Sequence, residues 1–136
     1  MKRSLVIAVF VACVLGFPRR VGDRRPAIAA MATVKAIASL HVAETQYYTE
    51  SGRWGRLKDL GFQGADLISP ELALGRSAGY EVRIDVSAEG YQIRALPRNS
   101  ECRECPTFYS DQTMTIRTSS RSEPASSSSP ILGVSH

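Results

Sequence analysis

A chain of 136 residues has room for one domain with a single small core. Its formal charge of +4 comes from 17 basic and 13 acidic side chains, and it would fall to +2 if the first sixteen residues left with Lys2 and Arg3. Such a weak and scattered balance excludes nucleic acid as an expected partner.

Lys2 and Arg3 precede an unbroken apolar run from Leu5 to Phe17, which Pro18 closes. A helix over that run covers about 20 Å, against a hydrocarbon core of roughly 30 Å, so residues 1–16 read as a secretory signal rather than a span. Small residues at Val14 and Gly16 place the cleavage between Gly16 and Phe17. An exported protein, periplasmic or extracellular, is therefore expected. A retained anchor is the alternative, but Arg19, Arg20, Arg24 and Arg25 on the far flank oppose the orientation that export needs. Cys13 raises the question of lipidation, although the apolar run continues past it. Membrane contact is expected only if residues 1–16 are kept or Cys13 is lipidated, and residues 17–25 form a basic linker.

The pattern from Pro26 to Gly52 predicts a long amphipathic helix. Ile28, Met31, Val34, Ile37, Leu40 or His41, and Tyr47 or Tyr48 recur every three or four residues, with Lys35, Ser39, Glu44 and Glu50 mostly off that stripe. Proline suits the first turn, where its missing N–H costs nothing, and glycine suits the left-handed residue that stops a helix. Trp54, Leu57 and Leu60 then suggest one helical turn, and Ser69 before Pro70 suggests another.

From Gly79 the period changes to two. Tyr80, Val82, Ile84 and Val86 alternate with charged residues, Ser87 to Gly90 make a turn, and Tyr91, Ile93 and Ala95 alternate again before Pro97, which predicts an antiparallel hairpin. Thr107 to Thr118 adds a third strand and a short fourth around a turn at Ser110–Asp111–Gln112. Residues 119–136 are rich in serine and proline and are expected to be disordered. The fold class is thus α+β: a long N-terminal helix packed on a small antiparallel meander of three or four strands, spanning residues 26–118.

The stretches AIASLHVAETQYYTESGRWGRLKDLG (36–61), LISPELALGRSAGY (67–80), GYEVRIDVSAEGYQIRALP (79–97) and FYSDQTMTIRT (108–118) together resemble the globular part of a type IV pilin-like protein, in particular the major pseudopilin of type II secretion. The likeness covers about residues 27–118. It implies a helix-on-meander fold and action by protein–protein contact. Family members carry a Gly-Phe processing site followed by a long apolar filament helix. Here Gly16–Phe17 is followed by PRRVGDRRP and the apolar run lies before it, so the resemblance implies the fold without the usual filament helix.

Cys102 and Cys105 form Cys-x-x-Cys, and in an exported chain the expected state is a structural disulfide closing a small loop. A thiol-active site is the alternative reading. It would need the first cysteine at a helix N-terminus, whereas Pro106 and a strand follow. Zinc would need further ligands, and the imidazoles at hand are His41 in mid-helix and His136 in the tail. His41 is expected to pack beside the apolar stripe, and Asp111 to cap its turn. Tyr47, Tyr48 and Trp54 cluster at the helix end as a plug between helix and sheet or, more sharply, as a partner surface. No Ser-His-Asp arrangement, paired carboxylates or phosphate loop is found, so no enzyme, cofactor or metal is expected.

Overall fold

A computed structural model describes residues 25–99 and 101–133. The expectations for the signal at Gly16 and Phe17, for Cys13 and for His136 lie outside these residues. A long helix, α1 (Arg25–Ser51), is followed by two single turns, α2 (Leu57–Leu60) and α3 (Pro70–Ala73). Five strands complete the chain: β1 (Arg76–Ser77), β2 (Tyr80–Val86), β3 (Tyr91–Pro97), β4 (Thr107–Asp111) and β5 (Arg117–Ser119). They form one antiparallel sheet in the order β1-β2-β3-β4-β5, a plain meander. The fold is α+β as expected, with five strands rather than three or four because the two-residue β1 adds to the outer edge of β2.

The boundaries follow the local chemistry. Pro26 sits in the first turn of α1. Gly52 ends the helix at φ +73°, its N–H on the Tyr48 carbonyl at 2.8 Å, a left-handed geometry that costs glycine little. Ser69 Oγ accepts from the Leu72 N–H at 3.3 Å and Pro70 opens α3, the cap that the sequence suggested. The hairpin register pairs Val82 with Ala95, Ile84 with Ile93 and Val86 with Tyr91, so their side chains share the face under α1 while Arg83, Arg94 and Gln92 face solvent.

The core lies between that face and one side of α1. Ile37 and Leu40 from the helix meet Tyr80, Val82, Tyr91, Ile93 and Ala95 from the hairpin, Phe108 from β4, and Leu60 and Leu72 from the two turns. Each large apolar side chain buried there contributes about 1.5–3 kcal/mol.

Within the helix and the sheet, three expectations are corrected. The seated face of α1 is Thr33, Ile37, Leu40, His41, Ala43 and Glu44: Ile37, Leu40 and His41 belong to the expected stripe, and Val34 and Tyr47 pack beside them, but its first members Ile28 and Met31 are both 65% exposed. Glu44, expected off the stripe, is fully buried. Met114 belongs to a turn rather than a strand: its φ is +63°, and its N–H bonds the Asp111 carbonyl. Asp111 does cap this turn, Oδ1 accepting from Thr113 N–H at 3.0 Å and from the Thr113 hydroxyl at 2.6 Å.

The segment after Ser119, expected to be disordered, instead folds back along β5. Thr118 N–H bonds the Pro130 carbonyl at 3.0 Å, Leu132 N–H bonds Ile116 at 2.8 Å, and Ile131 bridges Arg117. Ala125 is buried and donates its N–H to Thr107 Oγ1 at 2.8 Å. This covering explains why Thr107 is buried although it points away from α1. Ordering comes from pairing an open sheet edge, which needs backbone groups rather than apolar bulk.

Candidate functional site

Three places carry residues singled out in the sequence: the C-terminal end of α1, the seam beneath it, and the cysteine loop. At the helix end Tyr48 stacks on Trp54 with centroids 4.3 Å apart, and Trp54 meets Tyr91 edge-on at 4.9 Å. Tyr47, one residue along and so about 100° around the helix, turns inward; its ring lies 5.4 Å under the Arg53 guanidinium. The three predicted aromatics are thus brought together with divided roles. Trp54 plugs the gap to Tyr91, Tyr47 is half-buried, and Tyr48 keeps 45% of its surface exposed.

Glu44 holds the loop that carries Trp54. Its Oε2 accepts from the Gly55 N–H at 2.8 Å while Oε1 has no partner. Burial pushes this carboxyl up to about 7; the Gly55 N–H opposes the rise and the Asp59 charge adds to it. Gly55 is itself enclosed, since a β-carbon there would lie 3.0 Å from both Leu60 and Tyr47. One helical residue therefore pins the loop, and the loop positions the aromatic wall.

One turn earlier on α1, His41 joins helix to sheet through a directed chain of hydrogen bonds. The Ser110 hydroxyl donates to the Thr115 carbonyl at 2.9 Å, so Ser110 Oγ must accept from His41 Nε2–H at 2.7 Å. With Nε2 carrying the proton, Nδ1 accepts from the Tyr91 hydroxyl at 2.6 Å. A neutral ring agrees with burial, which lowers the His41 pKa against the raising effect of Asp111. Burial also raises the Tyr91 pKa and keeps its phenol protonated as a donor, with the charges of Glu44 and Asp111 acting in the same sense. Ser110 and His41 approach as a nucleophile and base would, but the serine proton points at a backbone carbonyl and the serine is fully buried. The arrangement ties elements together rather than activating an oxygen.

Cys102 and Cys105 are bonded, and their loop sits near the start of α1, beside Pro26, Ala29 and Tyr80. Tyr80 donates its hydroxyl to the Pro106 carbonyl at 2.8 Å, and the Arg121 guanidinium reaches the Asn99 and Cys102 carbonyls. The cysteine loop and the aromatic cluster therefore occupy opposite ends of α1 and do not form one site. Among the described residues no group of three His, Cys, Asp or Glu side chains is placed to hold a metal ion.

Sequence reasoning missed Glu44, Tyr91 and Ser110 as a connected set. Glu44 and His41 are three apart and so share a helix face, the one signal available. By length and composition α1 is also apolar enough to cross a bilayer, although one of its faces is packed on the sheet. Compared with protein-family models, with curated proteins and with solved structures, the chain matches none.

Proposed function

We propose that this protein is an exported, non-enzymatic, pilin-like domain that works by protein–protein contact, as an accessory of a type II secretion or type IV pilus system or as a free descendant of one. The observation that carries this reading is the outward face of α1. Ile28 and Met31 are 65% exposed and Val42 is 69% exposed, on a helix whose opposite face closes the core. Exposed aliphatic side chains on one helix face, here set among the polar Lys35, Ser39 and Gln46, favour a partner over water. A groove of about 550 Å³ continues that face between Val42 and Ala38 on one side and Met114 and Ile116 on the other. The helix-then-meander order agrees with the resemblance seen in the sequence, and a disulfide suits an oxidising compartment.

No specific observation favours the thiol-active alternative, since Cys105 is buried, bridged to Cys102 and placed in a loop between strands. The lipid- or signal-anchored alternative rests on residues 1–16 and Cys13, and the mass of the mature N-terminus decides it. Photo-crosslinking tests the main reading in cells that make the protein. A benzoylphenylalanine placed at Met31 or Val42 is expected to yield protein adducts, and one placed at Arg83 on the sheet's outer face is expected to yield none. Turnover of a substrate by the purified chain, or adducts equally abundant at all three positions, would count against it.

A further inference from the structure

The helix-end aromatics form one wall of a cleft that the α1 face does not touch. It has a volume of about 590 Å³ and lies between the loop after α1 and the start of the β2–β3 turn. Tyr48 and Trp54 line one side and Val86, Ser87 and Ala88 the other, with Arg53, Arg56 and Lys58 around the opening. Asp59 is the one acid among the lining residues, and its Oδ2 already accepts from the Arg56 N–H at 2.9 Å. Among the described residues the ion pair found is Arg83 with Glu81, so the three cations of the cleft have no carboxylate partner.

We propose that this cleft binds a short acidic segment of a partner polypeptide, its carboxylates on Arg53, Arg56 and Lys58 and an adjacent apolar side chain on the Tyr48–Trp54 wall. Three cations around a concave, aromatic-walled opening focus a positive potential where an anion would enter. Guanidinium groups match carboxylates in a planar, two-point fashion. The wall is preorganised: Trp54 is held by a face contact to Tyr48 and an edge contact to Tyr91, and its loop is pinned by Glu44 on Gly55. Little ordering free energy is then lost on binding. The volume lies within the usual range for ligand sites, roughly 300–1,000 Å³. The charge is confined to three residues rather than running along a face, which suits a short carboxylate-bearing segment and not a phosphodiester backbone. This proposal goes beyond the contact face of α1 and does not depend on it.

The chain has a single tryptophan, so its emission reports on this wall alone. The full chain is titrated with a capped pentapeptide of alternating glutamate and leucine, with the same peptide carrying glutamine for glutamate, and with inorganic phosphate. A saturable change is expected with the glutamate peptide, with binding at least tenfold weaker for the glutamine peptide and for phosphate. The double variant Arg56→Gln, Lys58→Gln is expected to weaken glutamate-peptide binding at least tenfold. Both positions are exposed, so the variant's circular dichroism and melting should match the parent's and keep the comparison fair. No response to the glutamate peptide, equal binding of the glutamine peptide, equal binding of phosphate, or an unaffected double variant would each overturn the proposal. None of these outcomes bears on crosslinking from Met31 or Val42, so the two readings fail separately.

Discussion

Two polar residues on the buried face of α1 decide how stability responds to pH. The folded state holds the Glu44 carboxyl at about 7, above the ordinary value of 4.5 that it regains on unfolding. Between those values the folded chain binds more protons than the unfolded one, so stability falls as pH rises through that window and levels off above 7. His41 acts oppositely. Its folded pKa is lowered below 6.5, so stability rises with pH up to that value. Glu44→Gln removes the first effect and leaves the second. Its urea midpoint relative to the parent should therefore climb steadily between pH 4.5 and 7, by up to about 1.4 kcal/mol per pH unit; a pH-independent difference would show that the carboxyl is not held protonated. At Val82, 1% exposed in the centre of β2, an aspartate would place an unpaired charge in the core. Val82→Asp is expected to remove about 4 kcal/mol or more and leave the chain unfolded by circular dichroism at 25 °C.

Among the elements, those with strong local signals were readable in the sequence and those held by distant contacts were not. The β2–β3 hairpin and its turn follow from period-two alternation, and the end of α1 from Gly52, because each is decided by a few neighbouring residues. The seated face of α1 was legible at Val34, Ile37, Leu40 and His41 and misread elsewhere: Ile28 and Met31 are exposed though as apolar as the buried residues, while Thr33 and Glu44 are buried by virtue of partners on other elements. Thr33 Oγ1 reaches the Ser77 carbonyl of β1 at 3.4 Å, and His41 bonds groups 50 and 69 residues away. No spacing along the helix encodes such pairs. The segment after Ser119 was misread for a related reason, since its serines offer little to bury but its backbone completes the β5 edge. Ala125→Arg, at a buried position, is accordingly expected to lower stability by about 2 kcal/mol, whereas Ser127→Asp, exposed on the same segment, changes the urea midpoint by less than about 0.5 kcal/mol. Equal effects would mean that the segment does not cover β4. For the cysteine loop, four residues long from Cys102 to Cys105, replacing both by serine removes at most about 2 kcal/mol, because so short a loop restricts the unfolded chain little.

At the scale of the whole molecule, a helix uses one face to close the core and leaves the other open, with Ile28, Met31 and Val42 exposed among polar residues such as Lys35, Ser39 and Gln46. Tyr91, Ser110 and the Gly55 N–H receive the polar part of the closed face, and the hairpin, Phe108 and the two helical turns receive its apolar part, so that side of α1 is satisfied within the fold. The open face carries no corresponding partner within the described residues. That division, fold on one side and contact on the other, is the central claim. The double variant Met31→Asp, Val42→Asp tests it most directly, with its thermal melt and its partner adducts measured together. The account predicts an unchanged melt with adducts lost, crosslinking then being read from a probe at Ala38. A melt lowered by several degrees, or adducts that persist at full yield, would contradict it.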